Sequence, residues 1–266
     1  MNVEPVIRVR EFSFALDGKP ILREVSFDVA RGQYVAIIGP NGAGKTTLLK
    51  CLDRILVGGS GQIEIMGRPL ERYGQKELAR RISYVPQADG RVLPFTVAEF
   101  VALGRFPHLS PFAALGRDDR RAVSESLERT GMTGFAARRL DTLSGGERQK
   151  AFIAAALAQG AEILLLDEPT TFLDYRCQAE VRGLLREANR VSGVTIVAVT
   201  HDVNAAALEA DAAIALREGR VVFCGPPREL MQPEPLQRIY ATPLLLVAHP
   251  AADVPVIVPE APGGGA

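Results

Sequence analysis

The chain has 266 residues, of which 47% are apolar, and its 31 lysines and arginines equal its 31 aspartates and glutamates. This length fits one large domain, or one domain with a substantial insertion, and the apolar content excludes wholesale disorder. The balanced charge argues against a dedicated nucleic-acid binder, which normally carries a basic excess.

The N-terminal sequence MNVEPVIRVREF contains an early acid and no uninterrupted apolar run, so it does not resemble a signal peptide. No stretch approaches the roughly 18 to 20 apolar residues of a membrane span. Cys51, Cys177 and Cys224 are scattered without metal-binding spacing, which is typical of a reducing compartment. We therefore expect a soluble chain that reaches a membrane only through a partner.

The first third of the chain predicts two kinds of strand. VIRVREFSFAL and ILREVSFDVA alternate apolar and polar residues around the turn DGKP, which indicates an antiparallel pair. YVAIIG is a continuous apolar run that ends in glycine, as expected of a strand buried on both faces. TTLLKCLDRIL follows it with the apolar spacing of a helix.

Further along, buried strands are predicted at RISYVPQ, AEILLLDEP and TIVAVTHD, and helices at 119–130, 148–158, 176–191 and 203–210. This alternation indicates an α/β domain with a mostly parallel sheet. The strand signal disappears between about 89 and 159, so we expect an inserted helical subdomain there. RVVFCGPPREL predicts a last hairpin strand and turn, and APGGGA a short flexible end.

The loop GPNGAGKTT lies between a predicted buried strand and a predicted helix, and it matches the phosphate-binding pattern GxxxxGK[ST]. Glycines let backbone N–H groups point at phosphate oxygens, and the helix N-terminus adds a positive dipole. Lys45 can reach the β- and γ-phosphates, and the Thr46 hydroxyl can ligate Mg²⁺. The phosphate-binding candidates are Gly39, Pro40, Asn41, Gly42, Ala43, Gly44, Lys45, Thr46 and Thr47.

The strand ILLLDEP ends in two adjacent acids, which are costly to bury unless a metal or a reacting group compensates their charge. Asp167 is a candidate for the Mg²⁺ shell. Glu168, which points the other way, is a candidate for polarising an attacking water. The alternative, a capped strand end with a solvated acid pair, is weakened by the phosphate-binding loop upstream.

Three further candidates are weak on their residues alone. His201 ends the strand TIVAV and could contact a γ-phosphate, although a lone histidine is more often a loop residue. Gln87 could contact Mg²⁺ and water, although glutamine is usually solvated. Ser144 before Gly145 and Gly146, in TLSGGERQK, has the pattern of a helix N-terminus that could bind a second anion or could be an ordinary cap.

Taken together, these segments resemble the nucleotide-binding subunits of ATP-binding cassette (ABC) transporters, in the family's order and over nearly the whole chain. GPNGAGKTT resembles the Walker A loop, ILLLDEP the Walker B strand with catalytic Glu168, and LSGGERQ the family signature. Gln87 resembles the Q-loop glutamine, TTFLD the D-loop with Asp174, and His201 the switch histidine.

The resemblance implies an α/β P-loop NTPase ABC cassette with a mostly parallel core sheet, an N-terminal antiparallel β-subdomain and an inserted α-helical subdomain. It places the ATP-binding domain at 1–248 and a tail at 249–266. ATP and Mg²⁺ are the implied ligands, with the metal at Thr46, Gln87 and Asp167. The implied catalytic residues are Glu168, His201 and Gln87.

The resemblance also implies that two copies of the chain meet head to tail. Ser144, Gly145 and Gly146 of one copy would then face the ATP held by the Walker A loop of the other. Each half-site coordinates the γ-phosphate only in part, so ATP would stabilise the closed dimer and hydrolysis would release it.

The segments TVAEFVALGRFPHLSPF, RRAVSESLERTGM and GPPRELMQPEPLQRIYATPLLLVAHP resemble the importer subgroup for ferric siderophores, haem and cobalamin. This implies a membrane-spanning permease bound in a groove near Gln87, a periplasmic binding protein as an indirect partner, and a place at the cytoplasmic face of a bacterial inner membrane. Apolar residues such as Phe95, Phe100 and Phe106 fit such a groove, but we expect at least two of them in the subdomain core.

Two alternatives to this importer interpretation stay open. One is a non-transport ABC ATPase acting on ribosomes or DNA, which the single cassette, the zero net charge and the missing heptad run disfavour. The other is a cassette for a different cargo, such as a divalent metal ion or a drug.

The chain departs from the family where an aromatic ring usually stacks on adenine. The aligned residue is Leu16, and Phe14 is predicted on the same strand face two residues earlier. Either Phe14 stacks on the base, or the base contact is mostly apolar and weak.

Overall fold

A computed structural model of the chain describes residues 4–87, 93–110 and 113–259. Its strands are β1 Pro5–Leu16, β2 Lys19–Ala30, β3 Tyr34–Ile38, β4 Ser60–Ile65, β5 Arg68–Pro69, β6 Ile82–Val85, β7 Ile163–Asp167, β8 Thr195–Val199, β9 Ala212–Arg217, β10 Arg220–Gly225, β11 Leu245–Val247 and β12 Val256–Val258. Its α-helices are α1 Lys45–Leu52, α2 Gln75–Ala79, α3 Val97–Leu103, α4 Arg117–Arg129, α5 Gly145–Gln159, α6 Tyr175–Arg190, α7 Val203–Glu209, α8 Pro227–Leu230 and α9 Pro233–Tyr240.

These residues form two compact units. The first contains the chain up to Leu70 and from Val197 onward, and the second contains Glu71–Ile196. Strand β8 begins in the second unit and ends in the first. The predicted start of the helical subdomain at residue 89 and the terminal APGGGA lie outside the described residues.

The first unit contains an antiparallel sheet with the strand order β2-β1-β4-β5. The predicted pairing of β1 with β2 is confirmed, and its two-residue loop has Asp17 at φ 50° and Gly18 at φ 75°. Positive φ at both loop residues matches the right-handed twist of the strands that they join. The pairing is irregular: its register shifts between Val9 and Phe12, between Phe12 and Phe14, and again between Phe14 and Ala15.

The first unit also contains β3, which is buried along its whole length, as its continuous apolar run predicts. β3 pairs in parallel with β9, and β9 pairs antiparallel with β10. Ala36 and Ile38 of β3 share one buried cluster with residues of α7, α8 and α9. This cluster supports the strand that leads into the glycine-rich loop.

A hairpin that the sequence analysis did not predict ends the described chain. β11 pairs antiparallel with β12, and Leu246, Val254 and Ile257 pack against the buried cluster of the first unit. The boundary proposed at residue 248 therefore falls between two paired strands, and residues 249–258 complete the hairpin.

The second unit joins a parallel strand pair, β6 and β7, to a group of helices. The predicted helices at 119–130, 148–158 and 176–191 correspond to α4, α5 and α6. α3, α4 and α5 enclose a buried cluster with the members Val97, Val101, Leu127, Met132, Leu140, Ala151, Ala154 and Ala158. Phe95 and Phe100 pack against this cluster, whereas Phe106 is 62% exposed, so two of the three phenylalanines belong to the subdomain core as expected.

Within the described ranges, no helix has both the length and the apolar character that crossing a membrane would require.

Candidate functional site

The glycine-rich loop after β3 is shaped by close backbone packing. Gly39 has φ 139°, and a Cβ at this position would lie 2.0 Å from the backbone oxygen of Leu216 in β9. Gly44 has φ 99°, and its Cβ would lie 2.9 Å from the Leu22 side chain. Both positions therefore need glycine, for its left-handed backbone and for the room that it leaves.

Lys45, the first residue of α1, is only 6% exposed, and its ammonium lies inside this loop. Its Nζ donates to the backbone oxygen of Gly39 at 2.8 Å and to that of Pro40 at 3.0 Å. A buried ammonium is costly without acceptors, and these carbonyls supply them. The charge is thereby held at the centre of the loop.

The N-terminus of α1 lacks a side-chain cap from its N-cap residue. The N-cap is Gly44, which has no side chain to accept from the first N–H groups, and the first turn contains no acidic residue. The N–H groups at a helix N-terminus and the positive end of the helix dipole favour an anion. Together with Lys45 and the turn of the loop, they make a site for phosphate.

Asp167 ends the buried strand β7 and is itself 2% exposed. The hydroxyl of Tyr84, in the neighbouring strand β6, donates to Asp167 Oδ2 at 3.2 Å. This hydrogen bond orients a carboxylate that otherwise sits in an apolar strand, and carboxylate oxygens are ligands that Mg²⁺ accepts.

Glu168 has φ 51°, a strained value for a residue other than glycine. Its Oε2 accepts from Gln87 Nε2 at 3.2 Å and from Thr171 Oγ1 at 2.8 Å. The second unit thus brings the predicted Gln87 and Glu168 together. A carboxylate oriented by two donors is suited to binding and polarising a water molecule.

Ser144 is the N-cap of α5. Its Oγ accepts from Glu147 N at 3.3 Å, and its own N donates to Glu147 Oε2 at 2.8 Å, which is a complete capping box. The backbone hydrogen bond from Ser144 holds the pKa of Glu147 below its usual value. The helix N-terminus predicted here is confirmed, and the anion-binding role stays a prediction.

Gly146 lies where α5 packs against the first turn of α6. A Cβ at this position would lie 2.4 Å from Cys177 Sγ and 2.8 Å from Cys177 Cβ, so packing alone excludes a side chain. A Cβ at Gly145 would come no closer than 3.8 Å to Leu173. Asp174 caps α6 by accepting from Cys177 N at 2.7 Å, which lowers its pKa.

His201 lies in the first unit, between β8 and α7, and it is exposed. Thr200 N donates to the oxygen of Ile37 in β3 at 3.1 Å, which ties this segment to the strand before the glycine-rich loop. Asp202 then caps α7 by accepting from Ala205 N at 2.9 Å. His201 is therefore placed between two fixed residues.

The structure bears on the open choice between Phe14 and Leu16 as the contact for the base. Phe14 is 5% exposed, whereas Leu16 is 46% exposed. The strict alternation that put both residues on one open face fails because the register of β1 shifts on either side of Phe14. Of the two candidates, only Leu16 has surface to offer to a ligand.

Sequence reasoning did not find Tyr84 and Thr171, which donate to the two strand-end acids. Thr171 lies three residues after Glu168, a spacing that would have suggested it. Tyr84 lies on another strand, and only the β6–β7 pairing reveals its partner.

A buried strand, a glycine-rich loop around a lysine and a following helix without a side-chain cap define a P-loop nucleotide-binding domain. The family model described as "ABC transporter" matches residues 22–171, and the chain belongs to this family.

Curated relatives cover nearly the whole chain. The ferric enterobactin transport ATP-binding protein FepC of Escherichia coli (strain K12) is 42% identical over 96% of this chain and 95% of its own length. The hemin import ATP-binding protein HmuV of Streptomyces coelicolor is 41% identical over 92% of this chain and 86% of its own length.

Solved structures agree with this assignment. A chain from the structure described as "An inward-facing conformation of a putative metal-chelate type ABC transporter" matches with a TM-score of 0.84 and 27% identity, over 97% of this chain and 99% of that one. The dimeric structure of MJ0796, a bacterial ABC transporter cassette, matches with a TM-score of 0.73 and 29% identity, over 84% of this chain and 99% of that one. The predicted ABC cassette fold is therefore confirmed.

Proposed function

We propose that this chain is the ATP-hydrolysing subunit of an importer that moves an iron chelate, haem or cobalamin across a bacterial inner membrane. The observation that carries the hydrolytic part is the hydrogen bonding of Glu168 to Gln87 and Thr171. The cargo class follows from relatives named for ferric enterobactin and hemin.

The Walker A loop binds the ATP phosphates in this proposal. Backbone N–H groups of the loop, which every residue from Gly39 to Thr47 except Pro40 has, surround the phosphate oxygens. Lys45 turns its ammonium from the loop carbonyls to the β- and γ-phosphates. The donor set for a metal consists of Thr46, Gln87 and Asp167, whose oxygens suit a hard cation, and Mg²⁺ bound there would neutralise phosphate charge.

Glu168 is the proposed general base for hydrolysis. Gln87 and Thr171 orient its carboxylate, which accepts the proton of the attacking water. His201 contacts the γ-phosphate and stabilises the charge that develops on it. Asp174 belongs to the D-loop and fixes the start of α6 through its cap.

The second copy of the chain completes the site in trans. Ser144, Gly145 and Gly146 at the start of α5 present backbone N–H groups and a hydroxyl to the γ-phosphate held by the other copy. A dimeric cassette among the similar structures supports this arrangement. ATP then links the two copies, and loss of the γ-phosphate separates them.

The permease contacts the helical subdomain through its exposed apolar residues. Leu103 is 50% exposed and Phe106 is 62% exposed, and Lys76 Nζ lies 5.0 Å from the centroid of the Phe106 ring. Arg105 fixes the segment by donating to Asp119 Oδ1 at 2.9 Å and to the oxygen of Ala158 at 2.8 Å. A periplasmic binding protein delivers the cargo, and this chain stays at the cytoplasmic face.

Replacing the proposed base tests the hydrolytic mechanism. In Glu168→Gln we expect turnover to fall by about 10²- to 10⁴-fold, because the water loses its base while the phosphate contacts remain. Steady-state phosphate release and light scattering with ATP measure the loss and a retained ATP-bound dimer. Glu187→Gln, at an exposed carboxylate paired with Arg129, is the matched control. Normal hydrolysis by Glu168→Gln would overturn the assignment.

The cargo is tested separately in the source bacterium. Deleting the gene should abolish growth on one chelated iron source, or on haem, and leave growth on ferrous iron unchanged. The deletion strain could instead grow on every iron source and lose import of a cargo other than an iron chelate, haem or cobalamin. That result would contradict the proposed cargo class and leave the hydrolytic mechanism intact.

A further inference from the structure

The C-terminal hairpin is joined to the helix that follows His201 by one asparagine. Asn204, in the first turn of α7, donates from Nδ2 to the oxygen of Ile257 at 2.9 Å. Ile257 N donates back to Asn204 Oδ1 at 2.8 Å. The Asn204 side-chain amide thus donates to and accepts from the backbone of one residue, as a paired residue in a neighbouring strand would. These two hydrogen bonds fix the position of β12 relative to α7.

This pair of hydrogen bonds closes a packed contact. Ile257 belongs to the apolar residues that pack against the cluster containing Val203, Ala206 and Ala207 of α7. Burial from one side and two hydrogen bonds at its edge fix the helix against the hairpin. α7 has seven residues, and a helix this short depends on tertiary contacts for its position.

His201 lies two residues before this helix and lines the same cavity as the asparagine. The cavity has a volume of about 410 Å³, and His201, Asp202, Asn204, Tyr240 and Ile257 are among its lining residues. Asp202 caps α7 through Ala205 N, so a shift of the first turn of α7 is transmitted to Asp202. The main chain of His201 must follow.

We propose that Asn204 is a positioning residue, which uses the C-terminal hairpin as a fixed support to set His201 for its contact with the γ-phosphate. The inference rests on the proposed role of His201. It gives the hairpin, which none of the nucleotide-binding motifs includes, a function in hydrolysis.

The alternative is that Asn204 only stabilises the fold. A stabilising residue and a residue that acts through His201 differ in a double-mutant cycle. If Asn204 acts through His201, its replacement has no further effect once the imidazole is removed. If it only stabilises the fold, the losses from the two replacements combine.

The experiment compares Asn204→Ala, His201→Ala and the double variant of the full chain. We expect Asn204→Ala to lower kcat by roughly tenfold and to change KM for ATP less than about two-fold, because binding contacts are unaffected. In single-turnover measurements with excess protein, the double variant should hydrolyse ATP as fast as His201→Ala alone.

Two further variants distinguish an effect on His201 from a general loss of folded structure. Asn204→Asp keeps the volume and the acceptor for Ile257 N but loses the donor, and it decides the question if Asn204→Ala does not fold. Asn189→Ala is the matched control, since Asn189 Nδ2 donates to the oxygen of Val194 at 2.9 Å in the other unit. Its kcat should stay at the wild-type value.

The outcomes separate the inference from its premise. Wild-type kcat in His201→Ala would show that the role proposed for His201 is wrong. A large loss in His201→Ala, with unchanged kcat in both Asn204 variants, would overturn the inference alone. A further loss in the double variant, or an equal loss in Asn189→Ala, would overturn it as well.

Discussion

The helices α1 and α5 both begin at glycine-containing loops, but only α5 has a side-chain cap at its N-terminus. α1 follows Gly44 without a side-chain cap and with no acid in its first turn. α5 is capped by Ser144, and the Glu147 carboxylate lies in its first turn. The start of α1 therefore offers an anion a helix N-terminus without a side-chain cap and a buried lysine. At the start of α5, in contrast, the Ser144 hydroxyl already accepts from the N–H of Glu147.

This difference explains how one chain can use two anion sites unequally. The Glu147 carboxylate is negatively charged at neutral pH, and its pKa is lowered first by the backbone hydrogen bond from Ser144. The N-terminus of α5 therefore attracts a free anion only weakly. It binds an anion better when a second molecule holds that anion in front of the helix. A nucleotide already bound to the Walker A loop of a second copy meets this requirement.

The largest expected effect comes from blocking the start of α5. In Ser144→Arg we expect ATP-dependent dimerisation to be lost, because a long cation fills the space before the helix, while nucleotide affinity of the monomer stays within about two-fold. Light scattering with ATP and a nucleotide titration measure the two quantities. Ser192→Arg, at an exposed serine after α6, is the control. If monomer affinity falls instead, the two loops act on the same nucleotide and the comparison fails.

A smaller effect concerns the packing that excludes a side chain from Gly146. Gly146→Ala should destabilise the fold by about 1–3 kcal/mol, since its Cβ would overlap Cys177 Sγ. Removing that sulfur with Cys177→Ala should recover part of the loss, which urea unfolding can measure. Gly145→Ala, which has room for a methyl group, is the control. Equal losses at both glycines would mean that the backbone, not the helix contact, sets the requirement.

The smallest expected effect is on ATP affinity, and it comes from removing the residue that contacts the adenine base. Leu16→Ala should weaken ATP binding by about two- to five-fold, which corresponds to less than 1 kcal/mol, because it removes one exposed apolar contact. Phe14→Leu keeps the interior filled and should leave affinity unchanged in the same titration. A weaker affinity in Phe14→Leu with no change in Leu16→Ala would identify Phe14 as the adenine contact.

Much of the fold could be predicted because local patterns decide it. The apolar runs of β3 and β7 require burial on both faces, and the helical spacing at 119–130 needs no distant partner to be recognised. Lys45, Glu168 and His201 could be named for a similar reason, since each follows a strand that the pattern already locates.

The rest depends on neighbours that are distant in sequence. The hydrogen bond from Tyr84 to Asp167 requires knowing that β6 lies beside β7, and the pairing of Asn204 with Ile257 requires a hairpin of two three-residue strands. The burial of Phe14 depends on register shifts that strict alternation does not foresee. Tertiary contacts therefore decide the details on which the mechanism depends.

The buried ammonium of Lys45 has a consequence for selectivity. It already has carbonyl acceptors at 2.8 and 3.0 Å, so nucleotide binding is an exchange of acceptors and not the filling of an empty coordination shell. A phosphate displaces a neutral carbonyl because its charge makes the hydrogen bond stronger, and a ligand with uncharged oxygens gains little from the exchange. The loop therefore discriminates by charge before it discriminates by shape.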